Sequence, residues 1–119
     1  MSEINFQIEE TTSNKNIKCV IIKINGMLDE STADNFAPNV YSLIEKLEEN
    51  QKLIIDIENL SYMNSKSIGY FSDYYNKCIQ KKANLVITKP AKNVLDVLET
   101  VGIDQIIPIC QTNKEALNL

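Results

Sequence analysis

A chain of 119 residues, 44% hydrophobic and 24% charged, is long enough to bury a sizeable core and has the balance of an ordinary soluble globular protein. Its 16 acidic residues outnumber 12 basic ones, all of them lysine, for a net charge of -4, which is a poor electrostatic footprint for nucleic acid. The absence of histidine removes the commonest general base and metal ligand, and three isolated glycines leave no glycine-rich phosphate loop. No cofactor and no metal are expected.

The stretch from Met1 to Glu10 lacks the basic start and apolar core of a signal peptide, and no apolar run is long enough for a membrane-spanning helix. Cys19, Cys78 and Cys110 are odd in number, widely spaced and each beside apolar residues. That fits buried, reduced thiols better than disulfides or a metal site, so the expected location is the cytoplasm. No linker, repeat or low-complexity block divides residues 1–119, so one domain is expected.

Taken in chain order, Ile4, Phe6 and Ile8 alternate with polar residues as in a half-buried strand. A polar turn over 11–16 leads to a more central strand, Ile17 to Ile24, and a short turn between adjacent strands implies an antiparallel hairpin. Ala33, Phe36, Val40, Ile44 and Leu47 then recur at helical spacing, with Pro38 among them predicting a kink or a later helix start. Leu53 to Ile57 reads as a buried strand. The helix beginning near Ser65 places Ile68, Phe71, Ser72, Tyr75 and Ile79 on one face. Leu85 to Thr88 is a strand, and Pro90 and Gly102 bracket a helix with Val94, Val97, Leu98 and Val101 inward. Ile106 to Ile109 reads as a last strand. Thr112 and Glu115 form a capping box that opens a short final helix.

The order ββαβαβαβα specifies an α/β fold. Strands that alternate with helices need crossovers, which gives a mixed, mostly parallel sheet of four to five strands, flanked by helices, with the antiparallel hairpin at its N-terminal side.

Chemistry concentrates in residues 59–71, where a buried strand meets an amphipathic helix. Such a junction presents unpaired backbone N–H groups to a phosphate or to a partner's polar atoms. Ser65 reads either as a phosphate acceptor or as the helix N-cap. Lys66 is a solvated surface residue or a cation that neutralises charge added beside it. Asp29, Ser31 and Thr32, at another strand end and helix start, are caps or partner contacts. Tyr70 and Tyr74 fall away from the proposed core stripe, as exposed interface residues or as side chains partly buried under a loop. Asp56, near a strand end, invites comparison with the phosphorylated aspartate of receiver domains, but the neighbouring strand ends Ile24-Asn25-Gly26 without the acidic partners that magnesium needs.

Three blocks together resemble STAS domains of the anti-sigma factor antagonist type. Gly26-Met27-Leu28-Asp29-Glu30-Ser31-Thr32-Ala33 resembles that family's Gly-x-Leu-Asp-x-x-Thr-Ala stretch. Leu60-Ser61-Tyr62-Met63-Asn64-Ser65-Lys66-Ser67-Ile68-Gly69 resembles its Asp-Ser-Ser/Thr-Gly-Leu-Gly loop, and Val94 to Ile103 its helix ending Leu-x-x-x-Gly-Leu. The blocks stand in the family's order. The resemblance implies a non-enzymatic regulator that binds an anti-sigma factor with serine kinase activity, phosphorylated at the position of Ser65, with Asp29, Ser31, Thr32, Asn64, Lys66 and Ser67 beside the partner; Tyr70 joins them as a partner contact by its helix face alone. Asn64 stands for the family's Asp, Lys66 for its second Ser/Thr and Ser67 for its Gly. These departures imply a retuned or weakened switch, and the alternative of a STAS scaffold or subunit of a signalling or transport complex that works without phosphorylation.

Overall fold

The computed structural model describes residues 4–119; Met1 to Glu3, the start of the stretch read for a signal peptide, lie outside them. In chain order the elements are β1 (Ile4–Thr12), β2 (Lys18–Leu28), α1 (Glu30–Lys46), β3 (Lys52–Met63), α2 (Ser65–Gln80), β4 (Asn84–Thr88), α3 (Lys92–Thr100), a 3-10 turn at Ile103–Gln105, β5 (Ile109–Cys110) and α4 (Asn113–Leu117). The expected ββαβαβαβα order is present. Five strands form one sheet in the order β1-β2-β3-β4-β5, with β1 antiparallel to β2 and every later pair parallel.

From β2 onward each strand is added on the same side of the one before it. Right-handed crossovers, the nearly universal hand, then place successive helices on one face. Accordingly Phe36, Val40, Phe71, Tyr74, Val94 and Leu98 share one buried cluster with Ile22, Leu53, Ile55, Ile57, Leu85 and Ile87. The intervening strand residues Ile21, Ile54 and Val86 point to the other face, where Cys110 and the short α4, through Ala116 and Leu117, cover them. All three cysteines are buried and free. Among the described residues no helix is long and apolar enough to cross a membrane.

Several boundaries differ from the sequence reading for identifiable reasons. The Leu53–Ile57 strand extends to Met63, because residues 59–63 continue to pair with the end of β2. Pro38 neither delays nor ends α1, which starts at Glu30. Proline removes one backbone donor, and here the orphaned carbonyl belongs to Asp34, on an exposed part of the helix where water can satisfy it. The last strand is Ile109–Cys110, since residues 103–105 form a 3-10 turn instead. Gly102, at φ 82, supplies the left-handed residue that ends α3.

The buried faces shift as well. On α2 the buried residues are Ser67, Phe71, Tyr74 and Cys78, whereas Ile79 is 49% exposed. Tyr74 is therefore a core residue and not an exposed one. A helix that packs on both a sheet and a neighbouring helix has two buried sides, and Tyr74 occupies the side facing α1, 5.2 Å ring to ring from Tyr41. On α3, Val97 and Val101 stay exposed and only Val94 and Leu98 are buried.

Candidate functional site

Strands β2 and β3 run parallel and each leads directly into a helix. Their last pairs, Met27 with Tyr62 and Leu28 with Met63, bring the two strand-to-helix junctions side by side. The ladder slips between Gly26 and Met27, where Gly26 sits at φ 125, a conformation that side chains strongly disfavour.

Each junction closes with a capping box. At α1 the Thr32 N–H donates to Asp29 Oδ1 at 2.9 Å and the Asp29 N–H donates to Thr32 Oγ1 at 2.9 Å. At α2 the Ser67 N–H donates to Asn64 Oδ1 at 3.0 Å and the Asn64 N–H donates to Ser67 Oγ at 3.0 Å. The N-cap is thus Asn64, and Ser65 is the first residue inside the helix. The hydroxyls of Thr32 and Ser67 are buried and face back into the fold: Thr32 donates to the Met27 carbonyl at 2.7 Å, and Ser67 to the Asn64 carbonyl at 2.8 Å. The Asn64 N–H also reaches the Leu28 carbonyl at 3.2 Å, which ties one junction to the other.

Above this scaffold lies the exposed surface. Ser65, Lys66, Glu30 and Ser31 are exposed, together with Met27 and the 47%-exposed Tyr62. Among the described residues nothing hydrogen-bonds the Ser65 hydroxyl or accepts from the Ser65 and Lys66 N–H groups. Those two amides are the open donors of the α2 N-terminus. Asn93 of α3 joins the site by donating to the Ser61 carbonyl at 3.0 Å, and Ser61 donates to the Gly26 carbonyl at 3.2 Å.

Lys66 spans the two helices. Its Nζ lies 2.9 Å from Asp34 Oδ2 and 3.6 Å from Glu30 Oε1, both in the opening turns of α1. The Tyr70 hydroxyl donates to the other Asp34 oxygen at 2.6 Å. The Tyr70 bond, and then Lys66, hold the Asp34 carboxyl below its ordinary value; the same Asp34 contacts push Lys66 and Tyr70 up.

The fold therefore brings together Asp29, Ser31, Thr32, Asn64, Ser65, Lys66, Ser67 and Tyr70, with Thr32 and Ser67 beneath the surface and Ser31, Ser65 and Lys66 on it. Glu30, Asp34, Met27, Tyr62 and Asn93 complete the surface, and the sequence does not single them out. Met27 and Tyr62 lie beyond the strand ends read from the sequence, and only the register shows that they pair beside the caps. The pairing of Asp34 with Lys66 has no sequence signal, because the two are 32 residues apart and meet only across the α1–α2 seam.

Asp56 lies elsewhere, on the α4 side of the sheet, and is 1% exposed. Lys89 Nζ is 3.4 Å from its Oδ2, Asn113 Nδ2 donates to the same oxygen at 3.0 Å, and the Glu58 N–H donates to Oδ1 at 3.1 Å. Both oxygens are engaged in structural bonds. Among the described residues no group of three His, Cys, Asp or Glu side chains could hold a metal ion.

A sheet with one antiparallel edge and three helices on one face, with paired strand-to-helix junctions at one end, defines an α/β protein of the STAS type. The STAS domain model matches residues 6–116, and the chain belongs to that family. It is 24% identical over 98 residues, 82% of this chain and 83% of the other, to an anti-sigma F factor antagonist from Paenibacillus polymyxa. The fold is shared with an anti-sigma factor antagonist from Mycobacterium paratuberculosis at a TM-score of 0.76 and 18% identity, covering 97% of this chain and 92% of that one. It is shared also with the antagonist SpoIIAA in its unphosphorylated form, at a TM-score of 0.75, 21% identity and coverage of 95% and 93%. The phosphorylated form of SpoIIAA, described as a Bacillus cell fate determinant, matches at a TM-score of 0.68, 20% identity and coverage of 95% and 96%.

Proposed function

We propose that this protein is a non-enzymatic cytoplasmic regulator that antagonises an anti-sigma factor with serine kinase activity, docking through the paired junctions, and that Ser65 is its phosphate acceptor. The observation that carries the reading is the division of labour at α2: Asn64 and Ser67 make the cap, so the Ser65 hydroxyl is exposed and, among the described residues, engaged by nothing. A phosphoryl group there adds about -1.5 to -2 charges at the positive end of a 16-residue helix, beside two open amides. Met27 and Tyr62 supply apolar contact area beside it, and aromatic residues of this kind anchor protein interfaces. Thr32 and Ser67 act from below by fixing the two caps. The relatives' roles as antagonists, and the phosphorylated state recorded for one of them, support the same reading.

Lys66 favours a second reading, a STAS scaffold without a phospho-switch, because a lysine next in sequence to Ser65 can neutralise part of any charge added there. One experiment separates the two. The protein is incubated with ATP and the anti-sigma factor kinase that binds it, and its intact mass is measured. One added phosphate, lost in Ser65→Ala but kept in Ser31→Ala, is the expected result. An unchanged mass in the presence of a bound kinase sinks the switch and leaves the scaffold.

A further inference from the structure

We propose that Lys66 couples the state of Ser65 to α1: a phosphoryl group on Ser65 draws Lys66 away from Asp34 and Glu30, so that modification of α2 is displayed as uncompensated carboxylate on α1. The inference rests on the reading of Ser65 as the acceptor.

Ser65 and Lys66 are consecutive and both exposed, and Lys66 reaches Asp34 at 2.9 Å and Glu30 at 3.6 Å. Exposed ion pairs of this kind are weak, because water and salt screen them and two long side chains lose freedom in forming them. A phosphate anchored at the open amides of Ser65 and Lys66 offers more charge and three acceptor oxygens, and charge-assisted bonds to it are stronger. It therefore outcompetes a monovalent carboxylate for the same ammonium group.

Tyr70 fixes the response of α1. Its hydroxyl bond to Asp34 Oδ1 does not involve Lys66. Its ring is stacked on Tyr74, with centroids 6.0 Å apart and planes at 18°, and Tyr74 is itself packed edge-on against Tyr41. Asp34 thus keeps an oriented partner when its cation leaves, and the carboxylate is held in place on the surface. Glu30, Asp34 and Lys66 together carry a charge of -1; phosphorylation takes the group to about -2.5 to -3, spread over both helix N-termini. A partner that rests on α1 then experiences the modification of α2 as repulsion. The departure at Lys66 becomes a transmitter of charge.

The test uses the full chain with phosphoserine installed at position 65 during synthesis, so that no kinase is needed. Side-chain carboxyl NMR follows the titration of Asp34 with and without the phosphate, in the native chain and in Lys66→Ser. The Asp34 midpoint is expected to rise on phosphorylation, and to rise less in Lys66→Ser, where no cation is left to withdraw. Equal rises in the two proteins overturn the coupling, because they leave only direct repulsion. In a second arm, affinity for the anti-sigma factor that binds the unmodified chain is measured with Asp34→Asn, which is expected to reduce the loss caused by phosphoserine about two- to fivefold. If phosphoserine leaves binding unchanged while the Lys66-dependent rise is seen, the switch reading falls and the coupling stands. If binding is lost but the rise is independent of Lys66, the reverse holds.

Discussion

The openings of α1 and α2 are near copies. Each comes after a strand whose penultimate residue is exposed and whose last residue is buried, Met27-Leu28 in one and Tyr62-Met63 in the other. Each closes a capping box between the cap and the third helical residue, and each buries a phenylalanine, Phe36 or Phe71, seven positions past the cap. They differ in charge. The α1 dipole is already met by Asp29 and by Glu30 in the first turn, whereas α2 is capped by the neutral Asn64 and has no acid in its first turn. Asn and Asp cap about equally well, so the exchange at position 64 costs little stability while leaving the α2 N-terminus without an anion of its own. The same architecture is self-satisfied at one junction and open at the other, and the open one carries Ser65.

The largest effects test the structural likeness. Thr32→Ala and Ser67→Ala each remove a buried hydroxyl from a capping box, and each is expected to cost about 1–2 kcal/mol by chemical denaturation. A near-zero cost at either position breaks the equivalence of the two junctions.

The next test concerns the fifth position beyond the cap, which is Asp34 in α1 and Gly69 in α2. A Cβ built at Gly69 meets nothing within 4 Å. Glycine inside a helix costs about 0.5–1 kcal/mol relative to alanine, so Gly69→Ala should raise the melting temperature by a few degrees. Stabilisation accompanied by weaker partner binding would identify Gly69 as a point of close approach on the open junction. A drop in stability would show that the helix itself needs the glycine.

The smallest effect sharpens the charge difference. Because Tyr70 and Lys66 depress the Asp34 carboxyl below the ordinary aspartate value of 3.8, its contribution to stability is present above that value and is lost as pH falls through the lower folded value. A stability profile between about pH 5 and pH 2 should therefore flatten in Asp34→Asn. Lys66→Ser should flatten it less, since the Tyr70 bond is the larger cause. An unchanged profile in both variants would mean that the cross-helix contact is not formed in solution.

Much of the fold is legible from residues alone. The element order comes from hydrophobic period and from Gly102 and Thr112 as punctuation, and the α1 stripe of Ala33, Phe36, Val40, Ile44 and Leu47 is buried throughout. The junction at residues 59–71 can be located in the sequence, but its internal roles cannot. Ser65 and Asn64 are both good caps, and only the backbone of the folded junction assigns that role to Asn64. A single-stripe period misplaces Tyr74 and Val97, because it cannot tell which second side of a helix another helix will cover.

Local physics written in the chain fixed the order and kind of the main elements, though not all of their ends, and left no histidine-based or glycine-loop chemistry. Tertiary structure alone decided which residues meet. Parallel pairing of β2 with β3 set the two caps side by side, and packing of α1 on α2 delivered Asp34 to Lys66 and Tyr70 across more than thirty residues of chain. Contacts of that kind arise from register and helix packing, which depend on the summed burial of the whole sheet and leave no signature in the neighbouring sequence.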